Sequence, residues 1–317
     1  MPDAPTTTTQ TARPPFADRL TAIVAARESQ IVLGLDPDPA RLWPDALALA
    51  PATGSPAQRA AAAVQAHCAA LIDAAGPACV AVKPQLACFE RLGAEGWSAL
   101  RATVACARER GLIVLADAKR GDIAVSAAAY AQALVGSTPT PFGAVPGLGA
   151  DAFTANPLLG VDSLEPLVDG ARAAGAGVFV LVRTSNPGAA DVEDLELTAG
   201  GGGGPLWERL AQIVTRLGGP PSAASGLADV GAVVGATAPE HVARMRELMP
   251  HAPFLLPGIG AQGGRVEDMA PAFAPGRAGG LVSASRSIAS AHEATGAAPV
   301  AAARAEAERL RAAAWAL

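Results

Sequence analysis

Six consecutive residues, Asp117-Ala118-Lys119-Arg120-Gly121-Asp122, carry the densest chemistry in the chain. Two carboxylates bracket an amine there, and the amine is one of only two lysines among 24 basic residues. The other, Lys83, closes the apolar run Cys79-Val80-Ala81-Val82-Lys83. Every remaining cation is arginine. An ordinary surface cation can be either type, so a lysine kept against this bias does something arginine cannot. It can shift its pKa and hand over a proton, whereas arginine stays charged. An acid–amine–acid cluster suits proton transfer and electrostatic stabilisation of a developing negative charge. The competing reading of the same charges is a rim of ion pairs with a purely structural role.

The elements that must position these residues follow from the pattern around them. Apolar, β-branched runs fall near 31–36, 79–83, 112–118, 151–155, 178–183, 230–235, 253–257 and 280–284. Ala/Leu/Arg-rich stretches with helical spacing fill 57–75, 95–110, 123–135, 162–174, 205–217, 239–249, 265–273 and 297–315. Near-continuous apolar strands joined by helices predict a parallel sheet covered on both faces. Eight such repeats predict a (β/α)8 TIM barrel over 16–317, preceded by a disordered tail over 1–15. No GxGxxG follows the first strand, which counts against a dinucleotide-binding sheet.

In such a barrel Asp117 and Lys119, two apart on the third strand, share a face at its C-terminal end. Asp36 ends the first strand, Lys83 the second, and Asp122 starts the next helix, where a carboxylate also suits an N-cap. Strand ends of this kind converge on the catalytic mouth. Asp117 and Asp122 could instead hold Mg²⁺, but two lysines in the same volume would repel a dication. After the last two strands come Pro257-Gly258-Ile259-Gly260-Ala261-Gln262-Gly263-Gly264 and Ser285-Arg286-Ser287. A glycine-rich turn beside an arginine at the neighbouring strand end predicts a phosphate site. Two segments are irregular: 136–149, expected to wrap an edge of the barrel, and 186–205, with its glycine run at 200–204. The second is either a flexible insertion or a loop that covers substrate.

The net charge of −5 and pI near 5.4 argue against a nucleic-acid or anionic-membrane surface. No apolar run approaches the ~18 residues of a membrane helix, and the N-terminus lacks the apolar core of a signal peptide. Four cysteines without CxxC spacing read as free thiols of a reducing, cytoplasmic setting.

With D-A-K-R-G-D-I at 117–123, T-S-N-P at 184–187, P-G-I-G-A-Q-G-G at 257–264 and S-R-S at 285–287, the chain resembles the orotidine 5′-phosphate decarboxylase family from Ile31 to about Ile288. The resemblance implies a cofactor-independent, metal-free decarboxylation of orotidine 5′-phosphate to UMP, the last step of de novo pyrimidine synthesis. It makes Lys119 the proton donor and Lys83, Asp117 and Asp122 the rest of the charged network. Asp36 would bind the ribose, Thr184 and Ser185 the pyrimidine, and Gln262 and Arg286 the phosphate. Asp122 and Ser126 would reach into the site of a partner subunit, so a homodimer with shared active sites is implied. The alternatives are a Mg²⁺-dependent sugar-phosphate lyase of the same barrel superfamily, such as a keto-gulonate phosphate decarboxylase or hexulose phosphate synthase, and a non-catalytic nucleotide-phosphate sensor.

Overall fold

The computed structural model describes residues 13–198, 200, 203–260 and 262–317. Residues 1–12 of the expected tail lie outside these, as do Gly201 and Gly202 of the glycine run and Ala261 of the glycine-rich turn. Eight strands form a closed, all-parallel barrel. They are β1 (Ile31–Leu35), β2 (Ala81–Pro84), β3 (Ile113–Arg120), β6 (Ala152–Ala155), β7 (Gly177–Arg183), β8 (Val230–Val234), β9 (Phe254–Leu256) and β10 (Gly280–Ala284). Two more, β4 (Ser137–Thr140) and β5 (Gly143–Pro146), stand apart as an antiparallel pair. The ring closes through β1 against β10, with Ile31 opposite Val282. The eight expected strands are the eight barrel strands, and the expected (β/α)8 TIM barrel is the observed fold.

Both faces of the sheet are covered, so the short strands are apolar almost throughout. The outward layer packs against helices such as Pro56–Ala75, Gly93–Glu109 and Pro299–Trp315. The helix Pro56–Ala75 starts at a reciprocal cap, Ser55 accepting from the Gln58 N–H while the Gln58 side chain accepts from the Ser55 N–H. Two expected helices are tighter. Val266–Phe273 is a 3₁₀ segment because Pro271 lacks the N–H an α-helix needs there. Pro239–His241 is likewise 3₁₀ before the helix Val242–Leu248.

One helix has no counterpart in the pattern analysis. Phe16–Arg27 presents Phe16, Ala17, Leu20 and Val24 at helical spacing, and all four are buried. They join Val32, Ala81, Leu115 and Leu281 in a core at the N-terminal end of the barrel. Phe16 meets Phe179 edge-on at 5.9 Å between ring centroids. Gly177 permits this, since a Cβ there would stand 2.5 Å from Phe16 Cδ1. Asp229 accepts from the Ala17 N–H at 2.8 Å, and Arg13 and Arg19 both pair with buried Asp151. The helix is a plug, and it leaves the opposite end of the barrel as the open mouth.

The segment 136–149 does not wrap the barrel edge as expected. It forms the β4/β5 hairpin, exposed along its length, with Phe142 at the turn. Because it joins a helix to the start of β6, it lies at the end of the barrel away from the mouth. Cys68 and Cys79 are buried, Cys88 and Cys106 half-buried, and all four are free thiols. Among the described residues no helix is long and apolar enough to cross a membrane.

The plug can be tested directly. Phe16→Ala removes a fully buried ring and should destabilise the protein by about 3–5 kcal/mol in chemical denaturation. A loss below about 1 kcal/mol would mean the barrel closes without it.

Candidate active site

The mouth is organised by one carboxylate. Asp117 lies in β3 and is only 5% exposed, and Lys83 beside it in β2 is 6% exposed. Asp117 Oδ2 accepts from Lys83 Nζ at 2.6 Å and from Gln85 Nε2 at 3.1 Å. Its Oδ1 accepts from Lys119 Nζ at 2.5 Å and from the Thr154 hydroxyl at 2.9 Å. A carboxylate has about four lone-pair sites, and here four donors occupy them. Burial alone would raise the Asp117 pKa, but the charges of Lys83 and Lys119 and their hydrogen bonds reverse this and hold it at about 2. Burial would likewise depress Lys83, and the charges of Asp117 and Asp36 outweigh it and leave its pKa raised.

Asp117 and Lys119 meet as expected, though not on the face of a regular strand. The pairing of β3 with β6 slips between Ala116 and Arg120, so the segment bulges. Lys119 sits in that bulge with φ of +47°, the left-handed region that a side chain rarely enters. Such a conformation costs about 1–3 kcal/mol and persists only where surrounding contacts hold it. The Lys119 N–H, which the bulge removes from the ladder, donates to the Thr154 hydroxyl at 2.9 Å. The Lys119 side chain is 44% exposed and rises from the buried carboxylate into the mouth.

Most of the other expected site residues converge there. Asp36, Lys83, Asp117, Gln262 and Arg286 line one recess, together with Ser283 and Ser285. Lys83, Asp117, Lys119, Thr184 and Ser185 line an adjoining one. Gly34 brings the ends of β1 and β10 together, since a Cβ there would lie 1.7 Å from Ser285 Oγ. The glycine-rich turn does not open an α-helix. It is knotted on itself, with Gly264 N–H donating to the Gly258 carbonyl and Gly260 N–H to that of Gly264. Gly258, Gly260 and Gly263 all have positive φ.

Asp122 and Ser126 are not drawn in. Asp122 lies on the turn between β3 and the helix Ala124–Leu134, where its Oδ1 accepts from the Ile123 N–H at 2.7 Å. Ile123, not Asp122, is the N-cap of that helix. Ser126 is exposed on its first turn. Around them stand exposed apolar side chains, Ile123 and Val125 on this turn and Leu158 and Leu159 on the adjacent loop after β6.

Three polar residues at the site escaped the pattern analysis: Thr154, Gln85 and Glu193. Thr154 and Gln85 complete the shell of Asp117. Glu193, in the segment 186–205, accepts from the Thr184 N–H at 2.8 Å and lies 3.1–3.2 Å from its hydroxyl. Its pKa is raised by burial against the pull of those bonds. Beside it Asp194 pairs with Arg183 at 2.9 Å, so the loop is tied to the end of β7 at two successive residues. A signal existed only for Gln85, two places beyond Lys83. Thr154 reads as an ordinary strand former, and Glu193 as one acid among several. Among the described residues no group of three or more His, Cys, Asp or Glu side chains is placed to hold a metal.

The model of the orotidine 5′-phosphate decarboxylase / HUMPS family matches residues 29–301. An orotidine 5′-phosphate decarboxylase of Rhodopirellula baltica is 41% identical over 281 residues, 88% of this chain and 89% of the relative. One of Deinococcus radiodurans is 42% identical over 276 residues, 87% and 89% of the two chains. The solved structure of Leishmania donovani OMP decarboxylase superposes with a TM-score of 0.68 at 32% identity, covering 95% of this chain and 99% of that one.

The depressed pKa of Asp117 sets a pH dependence. The carboxylate stabilises the fold above its ordinary pKa of 3.8, and this is lost as pH falls toward about 2. At about 1.4 kcal/mol per unit, roughly 2 kcal/mol is at stake. In denaturation from about pH 6 downward, wild type should exceed Asp117→Asn in stability, with the gap narrowing below about pH 4. A gap that does not change with pH would show that the ion cluster is not its source.

Proposed function

The chain belongs to the orotidine 5′-phosphate decarboxylase / HUMPS family, and from that premise we propose that it decarboxylates orotidine 5′-phosphate to UMP without a cofactor. The observation that carries this reading is the gathering of the chain's only two lysines on one buried carboxylate at the barrel mouth. The bond between C6 and the carboxylate breaks, CO₂ leaves, and the electron pair stays on C6 in the plane of the ring. The Lys119 ammonium next to C6 stabilises that charge and delivers a proton to the carbon, after which solvent reprotonates the amine. Asp117 keeps Lys119 in place, and Lys83 shares the carboxylate, so Lys83 and Asp117 stay charged while buried.

The remaining residues bind the nucleotide. Arg286 and Gln262 hold the phosphate, Asp36 the ribose, and Thr184 and Ser185 the pyrimidine, which agrees with the recesses they line. Energy from the phosphate, remote from C6, can be spent on orienting the reacting ring. Asp122 and Ser126 act in the partner's site of a homodimer. Their absence from the residues that line the two recesses supports that reading, as do the exposed apolar side chains of Ile123, Val125, Leu158 and Leu159 on the same turn and on the loop after β6. The catalytic unit is a single barrel over 16–317 behind a tail at 1–15, working in the cytoplasm on a free nucleotide rather than on nucleic acid. A Mg²⁺-dependent chemistry is disfavoured by the site itself, where two ammonium groups occupy the oxygens of Asp117 that a dication would need.

Loss of orotidylate absorbance, followed with and without EDTA, tests the reaction; turnover should be equal in both, and dependence on a divalent ion would favour the sugar-phosphate lyases. In the same assay Lys119→Ala should lose at least about a hundredfold in kcat while still binding UMP, since general acid catalysis is worth ~10²–10⁴-fold. A smaller loss removes Lys119 as proton donor.

Subunit sharing has its own test. Inactive Lys119→Ala and Asp122→Ala are mixed and allowed to exchange. Each mixed dimer carries both lesions in one site and neither in the other. About half the dimers are mixed, so about a quarter of wild-type activity should return. Background activity after demonstrated exchange would place Asp122 in its own chain's site.

A further inference from the structure

We infer that Thr154 is a positioning residue for the reacting lysine, coupling the backbone of Lys119 to the carboxylate that its ammonium addresses. The inference rests on the reading of Lys119 as the proton donor and extends it to a residue that carries no charge. Thr154 lies on β6 and is only 2% exposed. Its hydroxyl has one proton and two lone pairs. With a pKa near 2, Asp117 is ionised and can only accept, so the hydroxyl proton goes to Asp117 Oδ1 at 2.9 Å. A lone pair is then free for the Lys119 N–H, also at 2.9 Å. One side chain therefore accepts from the backbone of the lysine and donates to the oxygen that receives that lysine's ammonium.

This ring of contacts matters because the lysine is in a conformation it would not choose. At φ +47° Lys119 is strained, and the slip of β3 against β6 removes the ladder bond its N–H would otherwise make. The Thr154 hydroxyl replaces that bond. Without it the bulge can relax toward regular strand, which turns the side chain of Lys119 relative to Asp117. The neighbouring strand residues Phe153 and Ala155 point to the other face and supply only packing.

Two substitutions separate the hydroxyl from the shape. Thr154→Val keeps the branched outline and removes the hydroxyl, whereas Thr154→Ser keeps the hydroxyl and removes a methyl group. The valine variant should lose roughly tenfold to a hundredfold in kcat with KM for orotidylate within about threefold, and the serine variant should recover most of the loss. A valine variant within about threefold of wild-type kcat, or a serine variant no better than valine, overturns the inference.

A second measurement does not depend on turnover. With only two lysines in the chain, lysine-selective isotope labelling gives two ammonium signals. In Thr154→Val the Lys119 signal should move toward that of a free, exposed lysine while the Lys83 signal stays. If the Lys119 signal is unmoved, Thr154 does not hold the lysine. If it moves as expected but wild type turns over no orotidylate, the positioning stands and the assigned reaction falls.

Discussion

Everything at the mouth of this barrel depends on a single buried carboxylate being fully satisfied. Taking an ion out of water costs several kcal/mol even after relaxation, and a partner recovers this only when the geometry is good and the other lone pairs are filled. Asp117 meets both conditions, with ammonium groups on each oxygen and a hydroxyl and an amide on what remains. The donors come from three neighbouring strands and the residue just past one of them, so the carboxylate also fixes how the ends of β2, β3 and β6 stand against each other. Removing any one donor leaves a buried oxygen short of a partner, a deficit worth about 1–3 kcal/mol. The polar cluster is therefore a structural constraint on the barrel as well as a chemical device.

The interior of the barrel divides along its axis in consequence. At the N-terminal end Phe16, Leu20 and Phe179 fill the space with fully buried apolar side chains. Toward the C-terminal end the inward positions turn polar at Lys83, Asp117, Thr154 and Ser283, all nearly buried. An apolar floor below the charges lowers the local dielectric and strengthens each interaction above it. Among the described residues three non-glycine positions are left-handed, Glu28, Lys119 and Ala124, and of these Lys119 stands at the boundary between the apolar floor and the mouth. A regular strand would present that side chain at fixed two-residue intervals, and the bulge frees it from the pleat so that it reaches back to its own neighbour.

The strands and most helices were legible because burial on both faces forces long apolar runs, and such runs leave few alternatives. The Phe16–Arg27 helix does not stand out in the pattern because its charges and Thr21 interrupt a buried stripe of only four residues. Its role is set by the hole it fills, which no local pattern reveals. Pro271 turns the expected α-helix at 265–273 into a 3₁₀ segment, and the helix expected at 239–249 opens with a 3₁₀ turn at Pro239–His241 before its α-helical part. In the site, Lys83, Asp117 and Lys119 stood out through their rarity and their place at strand ends. Thr154 and Glu193 did not, since each acts by a hydrogen bond across strands or loops that only the closed ring brings together. Asp122 and Ser126 are a different case. In this chain Asp122 is taken up by the Ile123 N–H and Ser126 is exposed, so neither joins the residues that line the recesses around Lys83 and Asp117.

The same physics accounts for the division between lysine and arginine. Arg286 stands where a planar, permanently charged fork can grip an anion at the edge of the mouth. Arg246, fully inside, spends its guanidinium on four backbone carbonyls, those of Met249, Ala252, Ala272 and Gly279, and stacks 3.7 Å from the Phe254 ring. Neither task calls for giving up a proton. At Asp117 two compact charges fit side by side on one carboxylate, and in the proposed reaction one of them, Lys119, loses its proton and regains it. A guanidinium is too broad to share those oxygens and too basic to let go. A chain that otherwise uses arginine throughout thus keeps lysine at the two positions where point charges share one buried carboxylate.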